Sequence, residues 1–341
     1  MNEPWTTDNF NDMPYRIIGT TGLRASNIGL GTWKFGYPDT GDESRVDEKT
    51  AFDILDRALE LGVTFWDTAN RYNNASGNSE KIIGKWFRDN PGQRRNIVLA
   101  TKVFGGMDGI TPNHSRLSRG NILDSVYSCL ERLQTSHIDL LYFHAFDDQT
   151  PVEESLMAVW DLMGMDLVRY FAVSNFSCSN LELYHSASEK FAPSFQIAAV
   201  QNKFDIITKE NDGQAGVLEH CTKAGISFIA YSPLSRGLLT DRYLDVKKVG
   251  KGDRLFDEGS RDLYTDNNIH DKLMALSSIA GSQDISLSQL ALAYMLTLPG
   301  MGPVIPSSSN KVQLEENAEA GKIILDEETK YKIKNILGEM T

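Results

Sequence analysis

"DEKTAFDILDRALELGVTFWDTANRY", residues 47–72, decides the fold class. Its first half places apolar residues at Ala51, Ile54, Leu55, Ala58 and Leu59. That i, i+3, i+4, i+7, i+8 stripe belongs to an amphipathic helix, and Gly62 stands where a helix stop belongs. "VTFWDT", 63–68, then reads as a buried strand running into the carboxylate of Asp67. A short polar loop follows, and Tyr72 stands five positions after the acid. A helix that feeds a strand ending on a polar group is the repeat unit of a parallel α/β sheet. Two readings of the acid and the phenol compete. Asp67 caps the next helix with Tyr72 packed beside it, or both belong to one reaction centre.

The unit recurs in both directions. Upstream, "YRIIGTTGLRASNIGLGTW", 15–33, reads as two short strands around a Gly-containing turn, then a strand ending near Thr32. Downstream, Ser79 opens a helix with Ile82, Ile83, Trp86 and Phe87 on one face. "NIVLATK", "IDLLYFH", "VRYFAVSN", "FQIAAVQN" and "SFIAYSP" follow as strands with helices between them. Residues 235 to about 266 break the pattern and read as a long polar loop. Helical stretches over 268–280 and 286–297 precede a last short strand, "GPVIP", and two closing helices. The strand ends fall near residues 31, 67, 102, 144, 174, 201, 231 and 305. Eight units in this length predict a closed (β/α)8 TIM barrel, with an N-terminal β-hairpin and a long loop plus extra helix before the last strand. A doubly wound open sheet competes, but no GxGxxG follows the first strand. No composition shift divides the chain, so residues 14–341 read as a single barrel domain and 1–13, "MNEPWTTDNFNDM", as a flexible tail.

The chain has 341 residues and a formal net charge of −12. That length supports a sizeable core, and the apolar fraction is that of a globular protein. An acidic surface disfavours nucleic acid or an anionic membrane as partner. Cys129, Cys178 and Cys221 form no CxxC, which fits reduced thiols better than a disulfide or zinc framework. The N-terminus carries no apolar signal region, and no apolar run reaches membrane-spanning length. A cytoplasmic location is therefore expected, and nothing in the sequence excludes an oligomer.

In such barrels the chemistry sits at the C-terminal strand ends. Asp67, Lys102, His144, Ser174 with Asn175, Gln201 and Tyr231 stand there. Each alone has an ordinary structural reading; together they point to a site. The motifs "GLGTW", "FWDTANRY", "LATK", "IDLLYFH", "FAVSNF", "VQNKFD", "YSPLSRGLL" and "IPSSSNKVQLEEN" run in one order through nearly the whole chain. In that combination the sequence resembles the aldo-keto reductases, closest to the microbial branches that also resemble potassium-channel β-subunits.

The resemblance implies a catalytic set of Asp67, Tyr72, Lys102 and His144. Tyr72 would be the general acid for carbonyl reduction, or the base for the reverse reaction. A free phenol, with a pKa near ~10, is poorly matched to neutral pH. An adjacent ammonium on Lys102 is expected to lower it, with Asp67 keeping that lysine charged and His144 donating to the carbonyl oxygen. The resemblance also implies a nicotinamide cofactor, NADP(H) favoured and NAD(H) possible. Ser174, Asn175 and Gln201 would bind its carboxamide, and Tyr231 would stack on the ring. Thr32, Trp33 and Asp67 would border the cofactor. Ser232, Leu234 and Gly237 would follow the pyrophosphate, and Ser307, Ser308, Gln313, Glu316 and Asn317 the adenosine end. Many aldo-keto reductases carry Lys and Arg where this chain has Ser307 and Gln313, leaving Lys311 or Arg236 as nearby cations. Trp33, Tyr72, Phe104 and His144 would line the substrate pocket, with Asn70, Arg71 and Arg116 offering hydrogen bonds. The implied substrate is a small carbonyl, a sugar or a sugar-derived ketone. The channel-subunit likeness leaves a second possibility, a non-enzymatic nicotinamide-binding sensor or interaction subunit. A metal-dependent hydrolase would need clustered ligands at strand ends, where only His144 and Asp67 stand.

Overall fold

The computed structural model describes residues 8–107, 109–190 and 195–339. Eight strands form one parallel sheet: β4 (Gly29–Gly31), β5 (Phe65–Asp67), β6 (Val98–Val103), β7 (Ile138–Phe143), β8 (Val168–Ser174), β9 (Ile197–Lys203), β10 (Ser227–Tyr231) and β11 (Met301–Ile305). Each pairs in parallel with its sequence neighbour. Bridges between Ile28 and Val304 and between Gly31 and Ser307 bring β4 to β11 and close the ring. The architecture is the (β/α)8 barrel that the repeating pattern predicts.

The helix Glu48–Glu60 shows how the stripe folds. Asp47 caps it by accepting from Thr50 N, and Ala51, Ile54, Leu55 and Ala58 are buried. Gly62 leaves the turn at φ 74°, and a Cβ there would meet Phe10 O at 2.0 Å. Only glycine meets both demands without strain.

One end of the barrel is plugged. Strands β1 (Asn9–Phe10), β2 (Met13–Ile17) and β3 (Arg24–Ser26) form a small antiparallel sheet. Ala25 of β3 and Ile18, just after β2, pack with Phe65, Ala100, Leu140, Ala172, Ala198 and Ile229 from inside the barrel. Gly19 N donates to Ser227 Oγ at 2.7 Å, and Arg16 Nη1 to Met301 O at 2.8 Å. Ser227 and Met301 begin their strands, so the plug covers the N-terminal ends. The open end is the one where the polar strand ends emerge.

Three local expectations change. Strand β1 lies inside the stretch read as a flexible tail, whose first seven residues lie outside the described residues. Ser79 does not open its helix, which runs Asn78–Asp89 from Gly77. Its hydroxyl is buried, donating to Thr32 O at 2.9 Å and bonding Thr68 Oγ1 at 2.9 Å. The loop 235–266 holds short helical segments at Ser235–Gly237, Asp241–Tyr243, Val246–Lys248, Arg254–Asp257 and Arg261–Thr265. Leu238, Leu239, Tyr243, Leu255 and Tyr264 anchor them in the core, at spacings too irregular for a helical stripe to show.

Candidate active site

The strand ends converge on one cleft of about 760 Å³. Strand β5 delivers Asp67 and β6 delivers Lys102, both buried. Lys102 Nζ donates to Asp67 Oδ2 at 2.6 Å, to Thr68 O at 2.9 Å and to the Tyr72 hydroxyl at 2.8 Å. Tyr72 Oη donates to the same carboxylate oxygen at 3.3 Å, and Gln201 Nε2 donates to Asp67 Oδ1 at 2.8 Å. An ammonium, a phenol and a carboxylate thus form one closed cluster. After Tyr72 the chain turns through three left-handed residues, Asn73, Asn74 and Ala75. Asn73 Nδ2 donates to Phe35 O at 2.6 Å and ties this turn to the loop after β4.

His144 follows β7, its ring edge-on to Tyr72 with centroids 6.1 Å apart. Asn175 Nδ2 donates to the His144 carbonyl at 2.8 Å, and Tyr231 Oη donates to Asn175 Oδ1 at 2.9 Å. Ser174 Oγ donates to the Gln201 carbonyl at 2.8 Å. The implied carboxamide-binding residues therefore form one hydrogen-bonded patch beside the tyrosine.

Burial sets the protonation states. Tyr72 is pushed well above 10.0, by burial first and by the Asp67 charge next. The expected lowering by Lys102 is outweighed, so the phenol holds its proton at neutral pH. Burial lowers Lys102, with Asp67 opposing. His144 is lowered from 6.5 to about 3 by burial, Lys102 and Arg71, so the imidazole is neutral. Because its folded value is depressed, the unfolded chain takes up a proton that the folded chain refuses as pH falls below about 6.5. Stability is full above that pH and declines toward pH 3, by up to about 1.4 kcal/mol per pH unit from this group. We expect His144→Gln to flatten the pH dependence of the urea unfolding free energy between pH 7 and 4; parallel curves for the two proteins would contradict this.

Of the residues singled out in the sequence, Trp33, Asp67, Tyr72, His144, Ser174, Asn175, Gln201 and Tyr231 line the cleft. So do Ser232, Leu234, Gly237, Ser307, Gln313, Glu316 and Asn317. Lys102 stands behind Tyr72. Thr32 and Ser308 are buried beneath the lining; Thr32 Oγ1 donates to Asp67 O at 3.0 Å, and Ser308 Oγ accepts from Asn317 Nδ2 at 3.1 Å. Phe104, half-buried, packs against the core and is not among the residues that line the cleft. Arg116 is held by Asp147 and Asp148 at 2.9 Å each, away from the cleft. Asn70 is fully buried, and both its side-chain atoms lack partners among the described residues. Lys34, Arg45, Arg242 and Arg254 also line the cleft and carry no motif signal, and Ser309 joins Ser307 from the "IPSSSNKVQLEEN" stretch. They sit in loops whose facing is set by packing.

A dinucleotide fits these walls. One end offers Tyr231 with amide and hydroxyl groups. Arg236 stands on the turn after β10, where Ser232, Ser235, Arg236 and Gly237 all take positive φ, and Arg254 stacks over Trp33 at 4.9 Å. Ser307, Ser309, Gln313 and Asn317 form the far end. The volume lies in the usual range for cofactor clefts.

A closed barrel with such a cleft at its C-terminal mouth defines a small-molecule enzyme of the (β/α)8 class. The family model described as Aldo/keto reductase family matches residues 27–337, and the chain belongs to that family. It is an NAD(P)-dependent oxidoreductase. A Bacillus subtilis (strain 168) protein named uncharacterized oxidoreductase YrpG is 34% identical over 95% of this chain and 96% of its own. Aldo-keto reductase str7 of Strobilurus tenacellus is 31% identical over 96% of this chain and 93% of its own. A probable voltage-gated potassium channel subunit beta of Arabidopsis thaliana is 29% identical over 92% of each chain.

Proposed function

We propose that the protein reduces a small hydroxylated carbonyl, a sugar or sugar-derived aldehyde or ketone, with Tyr72 as proton donor. The observation that carries the proton-donor role is the Tyr72 hydroxyl held 2.8 Å from Lys102 Nζ, which is itself 2.6 Å from Asp67, at the wall of a cleft shared with His144. The nicotinamide cofactor, when bound, supplies the hydride. Tyr72 gives its proton to the carbonyl oxygen as negative charge develops there. Lys102 stabilises the phenolate left behind, and Asp67 keeps that lysine charged. Neutral His144 donates a hydrogen bond to the same oxygen and orients the substrate. In the reverse direction Tyr72 acts as base; its raised pKa keeps the phenol protonated at neutral pH, the form that reduction requires.

The plant relative's name favours a second reading, a nicotinamide-binding sensor subunit. Steady-state turnover of aldehydes, ketones and sugars with both reduced cofactors separates the two. Turnover establishes the reductase; cofactor binding without turnover of any carbonyl leaves the sensor.

We assign NADP(H) as the favoured cofactor, with NAD(H) also accepted. The far end of the cleft presents Ser307, Ser309 and Gln313, and Gln313 Oε1 accepts from Ser309 N at 2.8 Å. At the two positions where many relatives carry a cation stand Ser307 and Gln313, and the neighbouring Lys311 is exposed and outside the lining. Losing one charge-assisted hydrogen bond to phosphate costs about 1.5–3 kcal/mol. NADPH should therefore be preferred in kcat/KM by much less than ~10,000-fold, which would need about 5.5 kcal/mol. A larger preference would mean that a cation such as Arg236 grips the 2′-phosphate.

A further inference from the structure

The cleft carries cations that proton transfer does not use. Arg236 and Arg254 pair with Glu258, and Arg242 pairs with Asp253. Lys34 and Arg45 differ. Lys34 Nζ donates to the backbone carbonyl of Glu43 at 3.2 Å, and neither cation has a carboxylate within ion-pair distance among the described residues.

The backbone forces these two together. Arg45 N and Val46 N both donate to Lys34 O at 3.0 Å, and Phe35 bridges to Val46. Like charges on facing backbone positions repel. The turn between them is closed on Asp42, which accepts from Tyr37 N at 2.9 Å, Ser44 N at 3.0 Å and Asn78 Nδ2 at 2.8 Å. Burial pushes the Asp42 carboxyl up, but hydrogen bonds from Asn78, Ser44 and Tyr37 hold it at about 2. The backbone on either side of the pair is thus held by a closed turn, with the Arg45 side chain exposed. Lys34 Nζ lies 3.7 Å from the centroid of the Trp33 ring, and the Arg254 guanidinium 4.9 Å from the same ring. Burial, then Arg45 and Arg254, push the Lys34 pKa down, against the weaker opposing charges of Glu43 and Glu258.

Position sets this pair on the Tyr72 side of the cleft, apart from the Ser232–Gly237 turn of the proposed cofactor groove. Trp33 and Lys34 follow β4, the neighbour of the Asp67 strand, and Asn73 beside Tyr72 holds Phe35 O. On its other side β4 meets β11 through the Gly31–Ser307 bridge, and the Ser232–Gly237 turn follows β10, one strand further on. We infer that Lys34 and Arg45 bind an anionic oxygen group of the carbonyl substrate, a phosphate ester or a carboxylate, and so select charged over neutral carbonyls. This rests on the reductase reading above.

The test compares kcat/KM for glycolaldehyde phosphate against glycolaldehyde, and for succinic semialdehyde against butyraldehyde. Wild type, Lys34→Gln, Arg45→Gln and Lys34→Arg are measured. Fluorescence titrations give the Kd of NADPH and of each aldehyde for the NADPH complex. We expect wild type to prefer the anionic member of one pair by about tenfold or more, and each Gln variant to cut that ratio by roughly tenfold to a hundredfold. Lys34→Arg should keep most of it, and the NADPH Kd should stay within about twofold. Whichever pair shows the larger ratio distinguishes phosphate from carboxylate. Wild-type ratios near one in both pairs overturn the inference. So does a weakened NADPH Kd with an unchanged ratio, which gives the cations to the cofactor. If no carbonyl turns over, the reductase reading fails separately. The aldehyde titrations then decide: binding of the anionic members that falls in the Gln variants upholds the anion site, and equal binding overturns it.

Discussion

Replacing Tyr72 by phenylalanine is expected to lower kcat by ~100-fold or more while leaving the fold and cofactor affinity intact. The phenol acts only as charge develops on the carbonyl oxygen, so its loss falls on the transition state and not on ground-state binding. The substitution is nearly isosteric. The ring keeps its edge-on contact with His144, and Lys102 keeps Asp67 Oδ2 and Thr68 O as acceptors. No buried charge is left unpaired, so the loss of stability should stay near ~1 kcal/mol. Steady-state kinetics with several carbonyls, alongside an NADPH titration, check this. Turnover within about threefold of wild type on several substrates would remove Tyr72 from the reaction.

Lys102→Met is expected to damage both turnover and stability. In the proposed reaction the variant has no cation to stabilise the phenolate, so kcat should again fall by ~100-fold or more. Here the fold also suffers. Asp67 is left buried with Gln201 Nε2 and the Tyr72 hydroxyl as donors. Removing one partner of a buried ion pair typically costs about 3–5 kcal/mol. Adding Asp67→Asn should restore much of the stability, because the lone carboxylate disappears, and none of the turnover. Urea unfolding of both single variants and the double variant gives the coupling directly. A Lys102→Met protein as stable as wild type would mean that the ion pair contributes little. A double variant with restored turnover would mean that Lys102 has no electrostatic role.

The barrel was legible because its signals are local and repeated. Ala51, Ile54, Leu55 and Ala58 show a period that only a helix buries, and Gly62 marks its stop at a positive φ. Strand ends carry Asp67, Lys102 and His144 because each barrel strand terminates at the same face. What the sequence does not show depends on which loop faces which. Arg116 looked available for substrate, yet Asp147 and Asp148 hold it. Phe104 looked like a wall and lies half-buried against the core, outside the cleft lining. Lys34 and Arg45 are eleven residues apart, and only the Asp42 turn brings them together. The raised pKa of Tyr72 follows from its burial beside Asp67, and neither the burial nor the hydrogen bond can be read from "DTANRY".

The most direct measurement of the central claim uses reduced cofactor deuterated at the transferable C4 position. The purified protein is incubated with it and a panel of small hydroxylated aldehydes and ketones, and the products are read by mass spectrometry. The predicted result is an alcohol carrying one deuterium at the former carbonyl carbon, formed by wild type and lost with Tyr72→Phe. Tight cofactor binding with no deuterated alcohol from any carbonyl would contradict the reductase and leave the nicotinamide-binding sensor in its place.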